Sequence, residues 1–201
     1  MPSFSPGFHG RRRTDVDPSR VPPGQYVVDD FPVLSAGPTP RTPLGEWSFS
    51  IRGELHAPVS WTWEELQALP QETFTTDIHC VTKWTKLGTT WTGVSLDTLL
   101  DGIDTEAEHL SAWSDGGYTT NLPLADVMGG KAWIAHTFED EPLAPEHGGP
   151  ARLLVPHLYF WKSAKWVRGL TLRIEDEPGF WESAGYHNHG DPWREQRYWS
   201  D

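Results

Sequence analysis

Prolines set the first constraint on this chain. Pro18, Pro22, Pro23, Pro32, Pro38, Pro40 and Pro43 crowd the N-terminal region, among glycines and arginines. Each one fixes φ and lacks an N–H, so no long helix can form there. Residues 1–45 read as an extended arm, and residues 46–201 as the folded domain it serves. The body begins near Trp47, where WSFSIRG alternates like a strand and stops at Gly53.

Beyond that point the predicted elements are short. TWEELQAL (62–69) carries Thr62 and Glu65 at capping-box spacing with Pro70 as a stop, which predicts a helix. SLDTLL (95–100) predicts a second, ended near Gly102. ETFTTDIHCV (72–81), KAWIAHTF (131–138), ARLLV (151–155) and WVRGLTLRI (166–174) read as strands. Residues 109–122 read as a hairpin about Asp115-Gly116-Gly117. The fold class is α+β, a mixed-sheet domain with short helices and long loops. The tail, 178–201, carries Trp181, Tyr186, Trp193, Tyr198 and Trp199, a composition that predicts an ordered lid.

Charge narrows the partners. The formal net charge is -12, which argues against nucleic acid and anionic membrane as ligands. The mean hydropathy is -0.53 and no apolar run is long enough to span a bilayer. Arg11, Arg12 and Arg13 are followed by no apolar stretch, so a cytoplasmic location is expected. Twelve tryptophans suit either a packed core or the walls of a site for a flat ligand.

The single cysteine, Cys80, excludes an intramolecular disulfide. A lone cysteine is often just a small buried hydrophobe. Here it ends a predicted strand and opens a polar loop, DIHCVTKWTKLGTTWTG (77–93), with His79, Lys83 and Lys86 close by. Nearby cations favour the thiolate, the form that serves as nucleophile or soft-metal ligand. Zinc held by Cys80, His187 and His189 is a weaker reading, because that His pair lies on an irregular tail.

A second feature is a basic island. From His147 to Ile174 there is no Asp or Glu, but there are Arg152, Lys162, Lys165, Arg168 and Arg173. Lys162-Ser163-Ala164-Lys165 combines small residues with two ammonium groups on one turn, which suggests a phosphorylated ligand.

These segments, in this order, resemble the molybdopterin-binding domain of the sulfite oxidase family over roughly residues 25–200. The loop at 77–93 is similar to the family's metal-binding loop, which implies Cys80 as the molybdenum ligand. HGGPARLLVP (147–156) resembles a His-Gly-x-Pro-x-Arg pattern, and WKSAKWVRG (161–169) a Ser-Val-Lys-Trp segment. The resemblance thus implies His147, Arg152, Ser163, Ala164 and Lys165 as residues binding the pterin and its phosphate, with Asp115 as a pterin-contacting acid. Tyr186 falls at the spacing of the active-site tyrosine. The implied cofactor is molybdenum-molybdopterin and the implied reaction a two-electron oxygen-atom transfer. His157 reads as a strand-end histidine.

Two departures bear on substrate. Thr85 stands where the family usually places an arginine, five residues after the cysteine, and DFPVLSAGPTP (30–40) lacks the Arg-Asn-His signature of sulfite oxidases. Both disfavour sulfite. Trp84 is similar instead to the loop of the bacterial protein-methionine-sulfoxide reductase subunit, which implies a small or protein-borne sulfoxide-type substrate. No haem, flavin or iron–sulfur motif is visible, so a separate redox partner is expected to carry electrons. The competing readings are a cysteine-dependent hydrolase with His79 as base, and a non-catalytic module that binds a phosphorylated ligand. Tyr186 is expected as a proton donor, aided by Lys83 or Lys86.

Overall fold

The computed structural model describes residues 16–201, so Arg11, Arg12 and Arg13 lie outside the described residues. Eleven strands among those residues form two sheets. The first sheet is built on β4 (Glu72–His79) and β5 (Trp84–Ser95), which pair antiparallel. β8 (Trp133–Phe138) joins β5, β10 (Arg152–Leu154) joins β8, and β9 (Glu141–Pro142) forms a short hairpin with β8. The second sheet runs β3 (Val59–Thr62), β2 (Ser48–Gly53), β11 (Val167–Arg173), β6 (His109–Ser114), β7 (Thr119–Pro123). The α+β expectation holds: helices α1 (Trp63–Ala68), α2 (Leu96–Leu100) and α3 (Phe180–Ser183) are short.

Local chemistry explains several of these bounds. In α1 the Thr62 hydroxyl accepts the Glu65 N–H at 3.2 Å and the Glu65 carboxylate accepts the Thr62 N–H at 2.8 Å, the reciprocal cap expected from the spacing. Ser95 caps α2 by accepting the Thr98 N–H at 3.3 Å. Residues 109–123 form the expected hairpin of β6 and β7, with Gly116 and Gly117 both at positive φ in its loop.

The long strand β5 was not expected; its first part had been taken as loop. Threonines made it look polar, yet their β-branching suits a strand. Each hydroxyl on it finds a partner. Thr89 donates to the Thr76 carbonyl at 2.6 Å and accepts from Trp91 Nε1 at 2.9 Å. Thr73 and Thr75 pair across the strands with Thr92 and Thr90. Gly93 sits where a Cβ would run into the Ile134 carbonyl of β8, so this position tolerates no side chain without a shift of the sheet.

The main core lies between the sheets: Val94, Ile134 and Leu153 of the first pack with Phe49, Ile51, Leu110 and Leu170 of the second. A smaller cluster on the other face of the first sheet gathers Ile78, Cys80, Trp84, Trp91 and Leu154. The arm reaches this cluster. Its β1 (Tyr26–Val27) pairs parallel with the start of β5, and Phe31 packs among Trp84, Trp91, Phe138 and Phe160. In the tail, α3 docks on β7 through a buried network. Glu182 Oε1 accepts from Lys162 Nζ at 2.7 Å, from Trp161 Nε1 at 2.9 Å and from the Thr120 hydroxyl at 2.9 Å. Lys162 is therefore no phosphate ligand: its side chain is fully buried, and Nζ also donates to the Asn121 carbonyl at 2.8 Å. The expectation of two free ammonium groups on one turn fails because residues 160–162 form a 3-10 turn that carries Lys162 into the interior.

Two stability outcomes follow from this packing. Lys162→Met alone should lower the urea-unfolding free energy by about 3–5 kcal/mol, and pairing it with Glu182→Gln should recover most of that loss, because the remaining charge is removed too. Gly93→Val should destabilise by more than about 2 kcal/mol, an overpacking effect transmitted to β8 and read in the same urea titration.

Candidate functional site

Cys80 lies in the turn between β4 and β5. Its N–H donates to the Trp84 carbonyl at 2.9 Å and its carbonyl accepts the Lys83 N–H at 3.0 Å. Lys83 takes the positive φ of 79° that closes such a three-residue hairpin loop. The turn presents Cys80 Sγ to a cavity of about 580 Å³. Sγ accepts a hydrogen bond from the Thr82 hydroxyl at 3.2 Å. Burial pushes the thiol's pKa up, against the Thr82 donors and the charge of Lys165. A softer and more positive ligand than a proton is needed to keep this sulfur as thiolate.

The same cavity is lined by Asp115, Arg152, Ser163, Lys165 and Tyr186, residues drawn from four separate stretches of the chain. Arg152 is 1% exposed, yet no carboxylate meets it. Its guanidinium donates to the carbonyls of His147 at 2.8 Å and Ser163 at 2.6 Å, and it lies 4.0 Å from the Phe160 ring centroid. Burial lowers its pKa to about 9. Lys165 Nζ likewise meets only carbonyls, those of Leu34 at 2.8 Å and Glu146 at 2.6 Å. Burial first, and Arg152 second, lower its pKa to about 8. Two cations that form no ion pair with a carboxylate among the described residues, both lining this cavity, make a receptor for negative charge.

The remaining predicted residues take different places. Ser163 is 2% exposed and its hydroxyl accepts the Val155 N–H at 2.9 Å. Asp115 is held by Arg168 at 3.3 Å and by the Thr42 hydroxyl at 2.8 Å. Ala164 does not line the cavity; its side chain belongs to the main core. The His147 ring stacks on Phe31 with centroids 3.9 Å apart, behind the lining, and its Nδ1 is buried without a partner. Burial, then Lys165 and Arg152, hold its pKa down at about 4. Tyr186 packs against Trp161, Trp181 and Tyr198, and burial raises the pKa of its hydroxyl.

Several sequence neighbours of Cys80 prove irrelevant to it. His79 points to the opposite side of β4, where it bonds Thr85 at 2.9 Å, and burial lowers its pKa to about 4. Lys83 does not line the cavity, and Lys86 donates to the Asp29 carbonyl at 2.6 Å. The cation that acts on the sulfur is Lys165, brought from 85 positions away by the fold. His189 is engaged by Asp126 at 2.8 Å, and His187 Nδ1 accepts the N–H groups of His189 and Gly190. His157 lies 3.8 Å from Asp126. None of these histidines joins Cys80 in a zinc site.

Other lining residues escaped the sequence reading: Phe31, Tyr118, Trp161, Phe180 and Trp181. Tyr118 donates to the Trp161 carbonyl at 2.6 Å, which fixes that wall. The only sequence signal for Tyr118 was its place directly after Gly116-Gly117. A Cβ at either of those glycines would meet nothing within 4 Å, so their backbone borders the cavity with open space beside it. Among the described residues Trp84 Nε1 and His147 Nδ1 are buried without a hydrogen-bond partner, and the His147 ring feels the charge of both cations. A single soft sulfur, an unneutralised guanidinium and ammonium, and a broad aromatic wall together suit an anionic, flat ligand that bears a soft-sulfur metal.

The family described as the oxidoreductase molybdopterin binding domain matches residues 36–181. The uncharacterized oxidoreductase YuiH of Bacillus subtilis (strain 168) is 41% identical over 194 residues, which covers 95% of this chain and 98% of that protein. The putative protein-methionine-sulfoxide reductase subunit YedZ1 of Azospira oryzae is 29% identical over 147 residues, 70% of this chain and 56% of that protein. Among solved structures, the sulfane dehydrogenase SoxCD of Paracoccus pantotrophus aligns with a TM-score of 0.62 at 25% identity, over 69% of this chain and 41% of that one. Because the family match spans most of the chain and includes the cysteine turn, the Arg152 strand and the Lys165 turn, the chain belongs to the molybdopterin-binding oxidoreductases, and molybdenum-molybdopterin is its cofactor.

Proposed function

We propose that this oxidoreductase transfers an oxygen atom to or from an uncharged, sulfoxide-type substrate, small or protein-borne, and exchanges electrons with a separate redox protein. The observation that carries the reading is the character of the cavity beside Cys80. Its lining combines two cations, Arg152 and Lys165, suited to the cofactor's phosphate and pterin, with the aromatic side chains of Trp161, Phe180, Trp181 and Tyr186. Thr85, which stands where an anion-binding arginine would serve sulfite, is fully buried and faces His79 rather than the cavity. With Arg152 and Lys165 engaged by the cofactor, a dianionic substrate would lose its hydration without gaining the further cation that an arginine in place of Thr85 would supply. The relative named as a methionine-sulfoxide reductase subunit points the same way.

Within this reading Cys80 holds the metal, Arg152 and Lys165 neutralise the phosphate and pterin, and Asp115, Ser163 and the backbone beside Ala164 and His147 border them. The cofactor, when bound, supplies the two-electron change at the metal. The protein's own part is binding, orientation and protons. The aromatic lining excludes water and positions an apolar substituent. Tyr186 keeps its proton at the hydroxyl, because burial raises its pKa, and so acts as donor to an oxygen that gains negative charge. The thiol and its surroundings disfavour a cysteine hydrolase: the adjacent His79 is engaged by Thr85, and the sulfur accepts from the Thr82 hydroxyl instead.

Purified enzyme should reduce methionine sulfoxide or dimethyl sulfoxide with a reduced viologen dye at least ten-fold faster than it oxidises sulfite with ferricyanide. Sulfite oxidation that matched or exceeded sulfoxide reduction would remove the proposal. Tyr186→Phe should lower kcat by about 10²-fold with little change in KM, a loss expected for a missing proton donor. Cys80→Ser should abolish both the visible absorption and the molybdenum content; retention of one molybdenum per chain would place the metal on other atoms.

A further inference from the structure

Besides Lys162, whose partners hold it in the interior, the mechanism above leaves a second buried cation unused among the described residues. Arg197 belongs to the tail, far in sequence from every residue assigned to the cofactor, and is 7% exposed. Its guanidinium donates through Nη1 to the Val81 carbonyl at 3.0 Å and through Nη2 to the Pro23 carbonyl at 3.2 Å. The plane lies 5.0 Å from the Tyr159 ring centroid, and the nearest carboxylate, that of Glu195, is 3.7 Å away. Val81 directly follows Cys80. One residue earlier, the Cys80 carbonyl accepts from Gln25 Nε2 at 3.1 Å. The turn that carries the sulfur is thus gripped from behind by the tail and by the arm, on carbonyls that no strand ladder satisfies.

Fit at this point is close. Gly24 takes a positive φ of 69°, which favours glycine, and a Cβ there would lie 2.7 Å from Glu195 Oε1 and 3.2 Å from Arg197 Nη2, so the arm backbone runs close against this part of the tail. The tail around Arg197 is tied independently: the Asp201 carboxylate accepts the N–H groups of Arg197 at 3.0 Å and Tyr198 at 2.7 Å. A buried guanidinium with two carbonyl partners is a costly way to join loops unless its geometry is used. We infer that Arg197 is a positioning residue for the metal-binding thiolate, fixing the Cys80–Lys83 turn so that the sulfur stays directed at the cofactor. Gln25 is its weaker counterpart from the arm. The backbone N–H groups of Val81 and Thr82, which face the sulfur, keep their aim only while the Val81 carbonyl is held on the other side.

The test uses the loaded full chain and reads the sulfur rather than turnover. Iodoacetamide alkylation of Cys80, followed by mass spectrometry, reports how often the sulfur leaves the metal, and the visible absorption reports its coordination directly. Arg197→Gln should raise the alkylation rate at least ten-fold and shift or weaken the absorption. Gln25→Ala should raise the rate about three-fold. Asp201→Asn loosens the tail without touching the turn and should leave both readouts as in the wild type. Equal alkylation in Arg197→Gln and wild type would overturn the inference, as would an equal effect in Asp201→Asn, which would mark Arg197 as merely structural. If Arg197→Gln does not load the cofactor, Gln25→Ala decides, and an unchanged rate there would overturn it.

Discussion

A guanidinium sealed from water without a carboxylate is the constraint around which this molecule is arranged. Arg152 can be kept in that place only because two carbonyls and the face of Phe160 replace part of its hydration. Lys165 repeats the pattern with the carbonyls of Leu34 and Glu146. Each cation would be an expense to the fold if nothing negative ever arrived. On the proposed reading the cofactor's charge would supply what the protein withholds, and binding and stability would then be linked, because ligation of the native state stabilises it by mass action.

That arrangement also explains why the thiol alone says little. In the bare protein, burial outweighs the pull of Lys165 and the thiol's pKa rises. A metal held there, as proposed, would reverse this, because coordination would replace the proton and give the buried sulfur a positive partner. The site is better described as a set of mismatched charges held apart by a rigid β frame than as one reactive residue.

What could be read from the sequence follows the range of the interactions involved. The Thr62–Glu65 cap, the hairpin about Asp115-Gly116-Gly117 and the strand ending at Gly53 are decided by neighbours within a few residues, and they appear where expected. Cys80, Arg152 and Lys165 were visible as motifs, and they meet at one cavity. The strand β5 was missed because its threonines look polar until cross-strand partners are known. Lys162 was misread because a lysine's solvation depends on Glu182 and Asn121, both distant in sequence. The grip of Arg197 on Val81 has no local signature at all.

One consequence of the arm remains. Phe31 packs beside the cysteine cluster, residues 34–40 form part of the cavity lining, and Trp181 and Tyr186 form another part near the opposite terminus. The two stretches flank the cysteine turn on either side in the chain. The receptacle is therefore assembled in part from segments outside the β frame, and its walls meet only once both have docked on the folded sheets.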